Sequence, residues 1–100
     1  MKQVIEGKMY NTETATYVGS FQYLYPGDFR YYYEELYRKK TGEYFLYGEG
    51  DGLSPYAEYC GSGWCFGKDI RPMCLDEAKE WVEKHLSTGV YIAEFGEPEE

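Results

Sequence analysis

One hundred residues carry 18 acidic and 10 basic side chains, a net charge of -8 at neutral pH, and the pI lies near 4.6. A chain this short makes one domain with a core of modest volume and excludes a two-domain enzyme. Its charge argues against binding nucleic acid or an anionic membrane by attraction and points to a basic partner.

Leu, Ile, Val and Phe number only 18 in 100, a proportion that with this charge approaches the composition of disordered chains. Thirteen Tyr and two Trp restore the driving force, because each aromatic ring buries a large area. The expected product is a folded, Tyr-rich domain with phenol hydroxyls at its surface. The opening Met1-Lys2-Gln3-Val4-Ile5-Glu6 lacks the apolar run of a secretory leader, and no stretch reaches the ~18 apolar residues of a membrane span. A cytoplasmic protein follows. Three cysteines crowded between Cys60 and Cys74 fit reduced thiols or metal ligation better than a disulfide scaffold.

In chain order, Lys2 to Tyr10 reads as a strand or hairpin interrupted at Gly7-Lys8, and Asn11-Thr12-Glu13-Thr14 as the cap of a short helix running to about Val18. Phe29 to Arg38 and Glu43 to Tyr47 are rich in strand-favouring aromatics around the polar Lys39-Lys40-Thr41-Gly42, which predicts an antiparallel hairpin. Alternation places Phe29, Tyr31, Tyr33 and Tyr37 on one face and Arg30, Tyr32, Glu34 and Leu36 on the other. Gly48 to Asp69 holds six glycines and one proline and reads as a long ordered loop that invites a functional reason. After Ile70-Arg71-Pro72, the spacing of Leu75, Ala78, Val82 and Leu86 predicts an amphipathic helix over 75–86, flanked by Trp81 and His85. Asp76 and Glu77 in its first turn and Lys84 and His85 in its last suit the helix dipole. Val90 to Phe95 is a final helix or edge strand. The acidic end, 96–100, is expected to fray.

Chemistry has few places to sit. One histidine and four serines show no local arrangement for nucleophilic catalysis, so no enzyme is expected. Gly48-Glu49-Gly50-Asp51-Gly52 imitates a phosphate loop but would repel phosphate, since acidic residues stand between its glycines and no Lys-Ser/Thr follows. Cys60 and Cys65, with four residues between them across a Gly-rich turn, and Cys74 beyond them offer three thiolates for Zn2+, lacking a fourth ligand. His85 would lie roughly 16 Å along the helix from Cys74 and cannot readily complete the set. The remaining candidates are carboxylates: Glu34 and Glu35 on the hairpin, Glu49 and Asp51 beside the loop, and Glu77, Glu80 and Glu83 at three-residue spacing along the helix. An ordinary solvated face is one reading. The other is that these groups, interleaved with Tyr, occupy a basic groove of another protein and keep nucleic acid out of it.

Several strings carry a resemblance: Glu6-Gly7-Lys8-Met9-Tyr10-Asn11-Thr12-Glu13-Thr14-Ala15, Asp28-Phe29-Arg30, the run from Glu34 to Gly50, and Asp76-Glu77-Ala78-Lys79-Glu80-Trp81. Together they resemble a family of small acidic proteins of prophages and conjugative elements in Gram-positive bacteria, similar in size and setting to type II anti-CRISPR proteins. The resemblance implies a stoichiometric Cas9 inhibitor without catalytic residues. Such an inhibitor would sit on a basic nucleic-acid-binding surface of Cas9, with no direct nucleic-acid or membrane contact. Cas9 holds its heteroduplex in a positively charged channel, which gives an acidic protein an electrostatic route to it. Relatives usually carry a small polar capping residue where this chain has Cys74, and not all carry Cys60 and Cys65, so the resemblance implies that metal binding is either private to this chain or absent. A small zinc-binding regulatory or structural protein of the mobile element is the alternative reading. The expected fold is α+β: one domain over 1–100, a small antiparallel sheet around the Phe29–Tyr47 hairpin, covered on one face by the helix from Leu75 to Leu86.

Overall fold

The computed structural model describes residues 1–100 and has the α+β architecture. At its centre is an antiparallel sheet of four strands in the order β3 (Thr16–Tyr23), β4 (Tyr32–Arg38), β5 (Tyr44–Gly50) and β8 (Gly67–Met73). Preceding it, β1 (Lys2–Ile5) and β2 (Lys8–Asn11) form a separate hairpin, turned at Glu6-Gly7 with both residues at positive φ. A two-residue ribbon, β6 (Glu58–Tyr59) against β7 (Trp64–Cys65), lies within the connection from β5 to β8. The chain ends in α1 (Leu75–His85) and α2 (Thr88–Phe95). No helix is long and apolar enough to cross a membrane.

The Tyr-rich hairpin forms over β4 and β5, with Gly42 at φ +93° supplying the turn. Its first strand starts later than the pattern implies: Phe29 and Arg30 belong to a turn closed by Asp28, which accepts the Arg30 N–H at 2.8 Å and pairs with its guanidinium. No helix follows Asn11. The Asn11 side chain instead accepts the Glu13 N–H at 2.9 Å, and the chain enters β3 at Thr16, where β-branched Thr16 and Val18 are better accommodated. Strand β8 is the other element hidden from the pattern, because Gly67, Lys68, Asp69, Arg71 and Pro72 give a polar strand. Only Ile70 is a buried large apolar residue there.

One face of the sheet packs against the helices. Leu36, Tyr44 and Leu46 meet Ala78, Trp81 and Val82 in a single cluster, and complete burial of Leu36 or Val82 contributes about 1.5–3 kcal/mol each. The buried stripe of α1 is centred on Ala78, Trp81 and Val82, whereas Leu75 at the first turn remains exposed. Leu86 lies over Gly19, where any Cβ would collide with its methyl groups. Helix α2, begun by the Ser87 hydroxyl accepting the Val90 N–H, is pinned by Glu94, which accepts from Tyr44 at 2.6 Å and pairs with Arg38.

The opposite face is covered at one end only. Tyr10 of β2 packs edge-on against Phe45, and Tyr37, Phe45 and Ile70 are sealed beneath the first hairpin. The Lys39 ammonium, 3.6 Å from the Tyr10 ring centre, and the Lys8–Glu43 ion pair hold the hairpin down. The molecule is only 20 Å thick against 49 Å in length, about two layers. Its 6584 Å² of exposed surface exceeds the roughly 5900 Å² expected at this mass.

Candidate protein-binding face

Strand alternation decides which carboxylates are displayed. Glu34 and Leu36 of β4 point to the helices, and Glu35 and Tyr37 point away. Glu34 accepts the Trp81 indole N–H at 2.9 Å and the Tyr56 hydroxyl, so it joins α1 and the long loop to the sheet. It is an internal acceptor, unlike the surface carboxylate its charge alone implies. Tyr56 fits only because position 48 is glycine: its ring occupies the space a Cβ would take. Its outer side is covered by the Arg71 guanidinium, 4.1 Å from the ring centre. Burial first, then the Glu34 hydrogen bond, raise the Tyr56 pKa strongly.

The other face presents an array of phenols and carboxylates. Glu35 accepts from Tyr33 at 2.8 Å and from Tyr37 at 2.9 Å, and Glu49 accepts from Tyr47 at 2.9 Å. The register sets Glu35 opposite Tyr47 and Tyr33 opposite Glu49, so the two residue types alternate across the strand pair as well as along it. Burial, then hydrogen bonding to the carboxylates, pushes Tyr33 and Tyr47 up to about 12. Tyr31 extends the array: burial, followed by the charges of Glu49 and Asp51, raises its pKa. These phenols therefore stay protonated and act as fixed donors, holding Glu35 and Glu49 in place as anions with lone pairs left for a partner. Lys68 of β8, opposite Glu49, borders the array.

Glu77, Glu80 and Glu83 lie elsewhere, on the outer side of α1 beyond the buried Ala78, Trp81 and Val82. Two have local tasks. Glu77 accepts the Cys74 N–H at 3.0 Å in a capping arrangement, and Glu80 pairs with Lys84 at 3.2 Å. The seven sequence-selected carboxylates thus divide among the outer side of α1, the helix-facing side of the sheet, where half-buried Glu34 lies, and the open face, which only Glu35, Glu49 and Asp51 share. The residues the pattern missed there are the phenol donors and Lys68. Their signal was present in the alternation of β4 but hidden in β8, whose register no local pattern announces.

The three cysteines are not brought together. Cys60 and Cys65 are neighbours on one side of the β6–β7 ribbon, close enough for their side chains to hydrogen-bond, and this contact raises the Cys65 pKa. Cys74 follows β8, whose seven residues span roughly 20 Å, so the strand separates it from the pair. Cys74 therefore stands apart from the two thiols that the spacing grouped with it, and no three His, Cys, Asp or Glu side chains are gathered at one point.

His85 is engaged by rings: it stacks on Phe21 at 3.9 Å and meets the edge of Trp81, and desolvation lowers its pKa. The largest cleft, about 550 Å³, is lined by Tyr10, Tyr44, Glu43 and Cys74, and the Thr41 hydroxyl at its edge donates to Glu43 at 3.0 Å. The arrangement offers recognition chemistry: fixed anions, phenol donors and flat aromatic area. Compared with family models, curated proteins and solved structures, the chain shows no significant match.

Proposed function

We propose that this protein is a stoichiometric, non-catalytic inhibitor of Cas9 that docks its open sheet face onto a basic nucleic-acid-binding surface of the nuclease. The observation that carries the reading is the shared placement of Glu35, Glu49 and Asp51 with Tyr33 and Tyr47 on a face that the first hairpin covers at one end only. Anions held by neighbouring donors need little reordering on binding, and tyrosines add contact area at low entropic cost. The net charge of -8 steers the chain toward a cationic channel, and the family resemblance supplies Cas9 as the owner of that channel. A single flat partner surface cannot meet both sides of a two-layer molecule. The reading therefore assigns contact to the open sheet face and leaves Glu77, Glu80 and Glu83 in solvent.

The test is a DNA-cleavage assay with Cas9, guide RNA and increasing amounts of this protein. Cleavage should fall in proportion to the molar ratio and level off near equivalence, with inhibition weakened by salt. Undiminished cleavage at large molar excess would remove the proposal.

A further inference from the structure

The β6–β7 ribbon is the shortest strand pairing in the molecule. It consists of Glu58 opposite Cys65 and Tyr59 opposite Trp64, and the Cys60 N–H extends the ladder by donating to the Gly63 carbonyl at 2.9 Å. A ribbon this short is marginal without further ties. Alternation puts Glu58, Cys60 and Cys65 on one side of it and Tyr59 and Trp64 on the other, so Cys60 and Cys65 are diagonal neighbours across the strand pair. Each thiol is tied to a carbonyl of the ribbon: Cys60 donates to Gly63 at 3.1 Å and Cys65 to Glu58 at 3.3 Å.

Two features suit this pair to reversible oxidation. Diagonal partners stand roughly 7–8 Å apart at Cα, just beyond the ~4.4–6.8 Å that an unstrained disulfide spans, so closure needs a small backbone shift. The turn between them can supply it: Gly61 has φ +90°, and nothing lies within 4 Å of a Cβ placed at Gly61 or Gly63. A bond closed under residual strain is readily reduced, which is the property of labile disulfides and not of structural ones. The second feature is access. Cys60 is exposed and Cys65 half-buried, so one sulfur meets a reagent first and the other waits beside it.

We infer that Cys60 and Cys65 form a dithiol–disulfide site that exchanges with small-molecule disulfides and staples the ribbon when oxidised. The exposed Cys60 thiolate attacks one sulfur of a disulfide RSSR, expelling RS⁻ and leaving a mixed disulfide at Cys60. Cys65 then attacks the Cys60 sulfur, forming the bond between the two cysteines and expelling the second RS⁻. The protein thiols give up two electrons and two protons, and RSSR becomes two RSH. Hydrogen bonding to Cys60, then desolvation, raises the Cys65 pKa, which suits Cys65 to the second step. Oxidation thus replaces two weak S–H contacts with a covalent tie. Glu58 accepts the Lys68 N–H at 3.4 Å, and Gly67 lies so close to the Tyr56 carbonyl that a Cβ would be 2.1 Å from its oxygen, so the stapled ribbon is seated on the start of β8. The site is independent of whether the open face meets Cas9.

Incubation of the full chain with oxidised and reduced glutathione in varying ratio tests it, read by intact mass, alkylation and amide hydrogen exchange. Oxidised glutathione should convert the wild type to a single chain lighter by two hydrogens, with Cys74 alone alkylatable, and excess reduced glutathione should reverse the change. Cys65→Ser should stop at the glutathione adduct on Cys60, and Cys60→Ser should react about tenfold more slowly at the half-buried Cys65. Cys74→Ser should behave as the wild type. Amides of residues 58–65 should exchange about fivefold more slowly in the oxidised chain and return to their original rate on reduction. A wild type that accumulates the glutathione adduct, or that links two chains, would overturn the ring closure. A disulfide that survives excess reduced glutathione would overturn its reversibility, and unchanged exchange over 58–65 would overturn the staple.

Discussion

Glu34 and Glu35 are adjacent on one strand and have opposite fates. Glu34, beneath α1, is committed to the Trp81 indole and the Tyr56 hydroxyl. Glu35 is held by Tyr33 and Tyr37 on the side that only the first hairpin partly covers. The helix-covered face uses its polar groups to close the fold, and the open face uses the same chemistry to hold charge at the surface. Net charge is therefore a poor guide to function until each carboxylate is assigned to a face.

The largest break expected is on the covered face. Trp81→Ala should cost about 3–5 kcal/mol, as loss of a large buried aromatic does, and unfold the domain at markedly lower urea. Next is Glu34→Ala, which leaves a buried indole N–H and a buried phenol without their acceptor and should cost about 2–3 kcal/mol. Glu35→Ala should cost about 1–2 kcal/mol, less than Glu34→Ala, because of its two donors the half-exposed Tyr33 can turn to water while Tyr37 is buried. Comparable losses at 34 and 35 in denaturant titrations would erase the distinction between the faces.

The pH dependence sharpens the same contrast. On the covered face His85 is depressed by desolvation, followed by the nearby Lys84 charge, with Glu34 opposing. The unfolded chain thus binds the proton more readily, and the His85 contribution is complete above the ordinary histidine range and lost as pH falls through it. His85→Phe should remove that acid-side loss, measured by thermal unfolding at a series of pH values. The phenols act at the other extreme. Tyr33 and Tyr47 of the open face are raised to about 12, so their contribution is complete below the ordinary tyrosine value and lost as pH rises from about 10 to about 12. Ultraviolet titration should show these tyrosines ionising later than the exposed ones. The smallest effect is covalent: mild oxidation by a small disulfide should join Cys60 to Cys65 within one chain and leave Cys74 alkylatable. Peptide mapping that finds Cys74 joined to either would contradict the separation imposed by β8.

The α+β class, the Tyr-rich hairpin and the amphipathic helix were legible because each has a local signature: aromatics alternating around a polar turn, and apolar residues at helical spacing. Strand β3 and β8 were not legible, because one was masked by a capping-type Asn and the other depends on pairing with β5 for its stability. The candidate site was half legible. Glu35, Glu49 and Asp51 could be named from sequence, but nothing in a run of carboxylates reveals that Glu34 turns inward to Trp81, 47 residues away along the chain. Nor could cysteine spacing reveal that a strand lies between Cys65 and Cys74.

The central claim is that the open sheet face meets a basic protein surface. Its most direct test compares binding of the Cas9–guide complex by the wild type, by Glu35→Gln/Glu49→Gln and by Glu77→Lys/Glu80→Lys/Glu83→Lys. The account predicts about tenfold weaker binding for the open-face pair, equivalent to ~1.4 kcal/mol, and affinity within about twofold of wild type for the helix triple. Loss of binding in the helix triple with an unaffected open-face pair would contradict it.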